Sequence, residues 1–405
     1  MKIDKSLREK IAYSIFYLGV VVEVMLVLID KSAYTNPVEG QIFRLTFLLF
    51  LTKVCLTKYS FREYMVIVFF LAVGMVSYLA TGRNEIIRVV MFTASCKDVD
   101  MIKCLKVVFW MTLAGCLGLI LMSLFGVLGT ISLTQDYGRG SVETRYVLGL
   151  GHPNSLHCMF LMLVLLGMYL YARRMKIYEF IILFLLNIGM FLLTKSKTGM
   201  FVTALAVIFC GLLIYIPVLQ KKIFIYGISL LLLVCCVGIA WGAAAFSKEL
   251  PYNDTLRKFD RLLSDRIINL HYGSMSHAGT LPTWTVFGVE ENGYYFDMGW
   301  VRLFYWYGIL PAFIYVIVLA LLIWALYKKK DYMGIVILDS LFIYTLVEAH
   351  IISVYLARDY TLFLIGMYFG AMFHADKSMR RFIWQVPCLL RQKSCVDEFT
   401  GKGLK

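Results

Sequence analysis

Apolar runs of membrane-crossing length recur from one end of this sequence to the other, and no other feature restricts its fold so tightly. The hydrocarbon core of a bilayer takes about 20 apolar residues to cross as a helix and offers no water to backbone polar groups, so such a chain folds as a helical bundle. Hydrophobic residues make up 60% of the sequence and charged residues only 16%, a balance that excludes an ordinary soluble domain. The expectation is one all-α polytopic domain over residues 1–405. About twelve spans are expected: 11–29, 41–56, 64–80, 85–96, 107–128, 155–171, 178–193, 199–217, 224–245, 301–327, 332–346 and 359–373. The basic opening MKIDKSLREK precedes a run with no small-residue cleavage site, which reads as a retained first span.

The net charge of +14 is explained by where the basic residues lie rather than by a nucleic-acid partner. Lys53/Lys58/Arg62, Lys97/Lys103/Lys106, Arg173/Arg174/Lys176, Lys221/Lys222, Lys328 to Lys330 and Arg380/Arg381 all flank apolar runs. With both termini cytoplasmic they fall on one face, as the positive-inside rule requires. Keeping the short span 85–96 is what makes that assignment consistent. Residues 375–405 then form a cytoplasmic tail. Of the ten cysteines none falls in an outer loop, so neither a disulfide nor a cysteine metal site is expected.

Two outer segments, 129–154 and 246–300, are too long to be connectors. In the second, Leu256, Phe259, Leu263, Ile267 and Leu270 recur at helical spacing beside Arg257, Lys258, Arg261 and Arg266, with Asp254 as N-cap, as in a helix lying on a membrane surface. In the first, RYVLGLGHPNSLH places Arg145 and His152 just ahead of Pro153, where proline suits a first helical turn and free N–H groups suit an anion. Other inward-running helices begin behind Arg83, Lys195 and Lys197, Arg302, and Arg358. Outer-face cations oppose the orientation bias. A common anionic ligand explains them, and helix caps or phospholipid contacts are the simpler reading of each one taken singly.

Acid–base candidates are Glu348 and His350, with His152 a third. Both Glu348 and His350 also read as structural groups. His152 and His157 lack further metal ligands nearby, so no metal is expected; His271 and His277 suggest no role. Glu291, Asn292 and Asp297 sit beside Tyr294 and Trp300, the equipment of a sugar subsite and also of a membrane interface. Glu23, Arg44 and Asp339 are costly in lipid and are expected to face the bundle interior.

Taken together, RYVLGLGHPNSLH, TKSKTGM, LLSDRIINLHYG, NGYYFDMGWVRLFYWYGILP and EAHIISVYLARDYTLFLIG resemble the Wzy-type polysaccharide polymerases of exopolysaccharide and capsule synthesis. These stretches cover roughly the last two thirds of the chain. The resemblance implies a GT-C-like bundle, related to the O-antigen ligases, that acts on the outer face of the bacterial plasma membrane and needs neither cofactor nor nucleotide sugar. Its substrates would be undecaprenyl-pyrophosphate-linked oligosaccharides, and its partners membrane lipids, a flippase and a chain-length regulator. Arg145, His152, Asn154, Arg266, Arg302, Glu348, His350 and Arg358 match the motifs. Lys197 stands where relatives more often carry arginine, which keeps the charge and loses the bidentate fork. Arg145, Arg266 and Arg358 are expected to grip the pyrophosphate, with Arg302 and Lys197 as further cations. Two other readings stay open: a ligase acting on a different acceptor, and a lipid-linked oligosaccharide flippase, whose charges should line a cavity reaching both faces.

Overall fold

In the computed structural model of the protein, residues 5–136, 142–220, 223–263, 265–272, 277–351 and 353–373 are described. The tail 375–405, with Arg380, Arg381, Cys388 and Cys395, and the Lys221/Lys222 pair lie outside them. The first half of the chain forms α1 (Lys5–Lys31), α2 (Glu39–Leu56), α3 (Phe61–Thr81), α4 (Glu85–Ser95) and α5 (Met101–Leu124). An antiparallel hairpin of β1 (Ser132–Asp136) and β2 (Val142–Tyr146) follows. Next come α6 (Pro153–Tyr171), α7 (Ile177–Thr194), α8 (Lys197–Tyr215), the single turn α9 (Pro217–Gln220) and α10 (Ile223–Phe246). The remainder is α11 (Asp254–Leu262), α12 (Ile268–His271), α13 (Gly299–Tyr307), α14 (Ile309–Lys329), α15 (Tyr332–Val347) and α16 (Tyr360–Phe373). The protein is thus a helical, polytopic membrane chain. Among the described residues eight helices are long and apolar enough to cross a bilayer: α1, α3, α5, α6, α7, α8, α10 and α14. The hairpin is a departure from an all-α chain, confined to the first long loop.

The helices start where side chains cap them. Ser60 and Glu63 form a capping box on α3, Asp100 caps α5, and Asp331 caps α15 through the Gly334 N–H. Short α4 needs a different account. It follows a tight turn and runs back along α3, so that beyond its last turn Lys97 pairs with Glu63 at 2.6 Å, in the first turn of α3. Every residue from Val90 to Ser95 is buried, so protein rather than lipid surrounds its second half. A short helix suffices there, because the neighbouring helices supply the apolar environment.

The expected span 301–327 is divided. Gly308 stands between α13 and α14 with φ +91°, and a Cβ there would lie 2.4 Å from Phe287 Cα. Residues 285–288 press against this point, and the Thr285 and Val286 carbonyls accept the N–H groups of Ile309 and Leu310. They thereby satisfy donors that a new helix leaves open. All nine residues of α13 are buried, and Gly299 packs on Thr345 and Ala349 near the end of α15. Both ends of α13 therefore sit at the end of the bundle that carries the two long loops.

The amphipathic stretch in the second loop also differs from its expectation. Asn253, not Asp254, caps α11, its Oδ1 accepting from the Leu256 N–H at 3.1 Å. The helix stops after Leu262 because buried Asp260 accepts the Ile267 N–H at 2.6 Å and folds the chain back on itself. Leu263, Ile267 and Leu270 consequently turn into the protein core instead of forming one stripe along a surface.

Candidate functional site

The turn before α6 is wedged between two helix ends. Gly149, at φ +81°, lies so close to α5 that a Cβ would meet the Leu119 carbonyl at 2.6 Å. Gly151 rests near the Lys31 and Ser32 carbonyls at the end of α1. His152 then caps α6, with Nδ1 accepting from the Asn154 N–H at 3.2 Å, and Pro153 occupies the first turn. This fixes the Asn154 amide, whose Nδ2 donates to Glu348 Oε1 at 3.2 Å.

Glu348 is the first residue beyond α15, in extended conformation at the helix C-cap. Its Oε1 also accepts from Arg266 Nη2 at 3.4 Å, while Arg266 Nη1 pairs with Asp297 Oδ2 at 2.8 Å. Among the described residues Oε2 has no hydrogen-bond partner. Burial first, then the negative Asp297, pushes the Glu348 carboxyl up to about 7, against the pull of Arg266 and Arg358. Three residues distant in sequence, Asn154, Arg266 and Asp297, thus converge on one carboxylate.

His350 is fully buried. Its Nε2 lies 3.1 Å from the Arg358 carbonyl oxygen, which can only accept, so Nε2 carries the proton. Nδ1 is then an acceptor, 3.8 Å from the Cys158 sulfur. Burial, followed by the Arg358 charge, holds the imidazole well below its ordinary pKa and keeps it neutral. The Arg358 guanidinium has an unusual seat. Nη2 points at Cys158 Sγ, 3.9 Å away, Nε is buried without a hydrogen-bond partner, and among the described residues no carboxylate comes within 4 Å.

The segment from Glu348 to Arg358 is anchored from inside the bundle. Glu23 on α1, 0% exposed, accepts from Thr46 at 2.6 Å, from Arg88 at 3.2 Å and from the Leu356 N–H at 3.2 Å. Arg88 on α4, 3% exposed, donates in turn to the Val354 carbonyl at 2.9 Å and lies over the Phe43 ring. Those exposures leave no room for hydration, so this ion pair depends on its own hydrogen bonds.

The other expected site residues divide. Arg145 is buried on β2 and makes a two-nitrogen contact to Glu143 at 2.9 and 3.0 Å, and its charge is felt by His152. Desolvation first, then Arg145, lowers the His152 pKa. Lys197 is exposed on the first turn of α8. Arg302 is buried, lies over the Tyr295 and Trp306 rings at 4.7 and 4.3 Å, and donates to the Ala349 carbonyl beside Glu348. In the proposed sugar set, Asp297 joins the cluster through Arg266, and Glu291 and Tyr294 are exposed. Trp300 and Asn292 are closed to a ligand. The Trp300 indole is 1% exposed and bonds the Phe342 carbonyl, and the Asn292 amide bonds the Tyr305 carbonyl. His157 is buried between Thr194 and Asn187. Arg44, expected inside, is exposed and donates to Gln41, whereas Glu23 and Asp339 are buried as expected.

Sequence reasoning missed Arg88, Cys158 and the Asp30–Lys31 pair at the end of α1. One clue was available for Arg88. Glu23 and Arg88 are opposite charges inside two apolar runs, and each requires a partner. Comparison with family models, with curated proteins and with solved structures returns no match.

Proposed function

We propose that the protein is a membrane glycosyltransferase of the polysaccharide-polymerase kind, which moves a growing glycan from one undecaprenyl-pyrophosphate carrier onto the terminal sugar of a repeat unit on another. The observation that carries this reading is the pairing of a cation with no carboxylate within 4 Å among the described residues, Arg358, with a carboxyl pushed up to about 7, Glu348, at the loop end of the bundle. In the proposed reaction an acceptor hydroxyl oxygen attacks the anomeric carbon. The bond from that carbon to the pyrophosphate oxygen breaks with inversion, the hydroxyl proton passes to Glu348 Oε2, and the pyrophosphate leaves with its added negative charge against Arg358. A fixed cation in a water-poor setting favours the charge that develops as the bond breaks.

Arg266 bridges Asp297 and Glu348, a geometry suited to orienting the base and the near face of the pyrophosphate. His350 is assigned an orienting role, because both ring nitrogens are engaged and the ring is neutral. Arg302 holds the Ala349 carbonyl, one residue beyond Glu348; Arg145 and Lys197 fall outside the proposed contact set. Exposed Glu291, Tyr294 and Tyr295 are the surface on which the sugars would rest. An apolar crevice lined by Phe70, Val89, Ile314, Val318, Leu362 and Phe373, with Ile351 and Ser353 at its loop end, offers a lipid-borne substrate an apolar wall beside the site.

The basic residues Lys53, Lys97 and Arg173 gather at the opposite end of the bundle, which favours a cytoplasmic position for that end and an extracytoplasmic one for the site. On that reading α1 to α8, α10 and α14 to α16 supply twelve crossings of a GT-C-like bundle. The deciding experiment is gene deletion in the native host followed by analysis of lipid-linked glycans. Single repeat units accumulating on the carrier are the expected result. Unattached long polymer would instead indicate a ligase, and repeat units trapped on the inner face a flippase.

A further inference from the structure

Of the arginines around the loop end, Arg83 and Arg302 donate to backbone carbonyls and lie over aromatic rings, and among four others the side chain each one faces singles out one. Arg88 has Glu23, Arg145 has Glu143 and Arg266 has Asp297, each a carboxylate that cancels most of its charge. Arg358 has a thiol. Cys158, in the second turn of α6 and 2% exposed, places Sγ 3.9 Å from Arg358 Nη2 and 3.8 Å from His350 Nδ1. Since Nε2 of His350 donates to the Arg358 carbonyl, Nδ1 must accept, and the only proton between it and Cys158 is the thiol's. The thiol therefore donates to His350 and turns its lone pairs to the guanidinium. His350 fixes the Arg358 main chain while Cys158 steers the side chain. Lys31, another cation that feels Arg358 and Cys158, is paired with Asp30 at 2.6 Å.

Resting on the reading of Arg358 as the pyrophosphate-binding group, we propose that Cys158 is a positioning residue: a neutral acceptor that aims the Arg358 guanidinium without cancelling its charge, leaving that charge for a diphosphate ligand. An acidic residue in the same place would form a buried ion pair with Arg358 and compete with the ligand. A serine would keep both the donor and the acceptor role.

The test uses full-length protein in detergent, with farnesyl diphosphate as the probe and thermal unfolding as a second readout. Cys158→Ser should bind the probe within about threefold of the parent, and Cys158→Asp should bind at least about tenfold more weakly, a loss of one ion-pair-sized increment. Cys158→Asp should also melt higher than the parent, and that gain should vanish in the Arg358→Gln background. A merely structural cysteine would not give weaker binding together with higher stability. Parent-like binding by Cys158→Asp overturns the proposal, as does equal loss in Cys158→Ser and Cys158→Asp. Failure of Cys158→Asp to fold, or a lower melting point, also overturns it, because the new carboxylate must meet a cation there. If the parent fails to bind the probe while the Arg358-dependent stability gain is present, the pyrophosphate reading falls and the neutral seat stands.

Discussion

Glu348 is the residue where environment and chemistry meet most directly. Burial and Asp297 disfavour its charged form, so the carboxyl keeps its proton up to about pH 7. Two opposite pH dependences follow. As a folded-state pKa raised above the unfolded value of about 4.3, it contributes stability that is full below that value and is lost as pH rises through about 7. As the proposed general base it would work only when ionised, so transfer should rise through the same window with a single ionisation. Asp297→Asn should move that rise to lower pH by removing the neighbouring negative charge. Glu348→Gln should lower the rate by about 10² to 10⁴ and abolish the pH step, measured with purified protein and lipid-linked donor and acceptor. A rate that is flat with pH in the parent would remove Glu348 from the role. The sequence pointed to both Glu348 and His350, two residues apart, and had no means to separate them. The separation comes from their neighbours: His350 is locked by the Arg358 carbonyl and Cys158, whereas Glu348 takes its hydrogen bonds from the described residues at Oε1. Trp300 and Asn292 show the converse. Their residue types suit a sugar, but burial ties both to backbone carbonyls.

The loop from Glu348 to Arg358 owes its shape to helices far away in sequence. Removing Glu23 strands Arg88 as a buried charge, an effect of about 3 to 5 kcal/mol where other buried pairs have been broken, and frees the Leu356 N–H. Glu23→Ala should therefore lower the melting temperature and reduce transfer. The double change Glu23→Leu with Arg88→Met, which leaves no stranded charge, should recover most of the stability and not the activity, since the loop anchors at Val354 and Leu356 are gone. Recovery of both would assign the pair to packing alone. The helices themselves were largely legible, because an apolar run of membrane length has few other ways to fold. The division at Gly308 was not: residues on both sides are apolar, and the cause is the distant segment 285–288 pressing on the chain. A local hint existed in YGILP, where a glycine precedes a proline by three residues, the spacing of a helix stop followed by a first-turn proline. Gly308→Ala meets both an unfavourable φ and the Phe287 backbone, so thermal unfolding should show a clear loss of stability. A stability unchanged from the parent would mean that 285–288 does not press there.

At the scale of the whole molecule the charges are unevenly shared between the two ends. Lys53, Lys97, Glu63 and Arg173 mark one end, and the cluster around Glu348, with Arg266 and Asp297 of the second long loop, marks the other. Short α4 is what makes this division possible. On the twelve-crossing reading, without its return along α3 every later helix would be inverted, carrying the Arg173 and Lys328 groups to the outer face and the site to the inner one. Sidedness is therefore a test of the whole arrangement. Glu291→Cys puts a thiol on an exposed loop residue at the site end, and Arg174→Cys puts one on an exposed turn at the other. In intact cells, against the background of the unmodified chain, a membrane-impermeant maleimide should label the first variant. The second should label only after the membrane is opened. Labelling in the reverse order would put the cluster in the cytoplasm, where nucleotide sugars rather than carrier-linked glycans are at hand, and the proposed reaction would lose its donor. Labelling of both from outside would mean that an even number of crossings, rather than the three of α7, α8 and α10, separates Arg174 from Glu291.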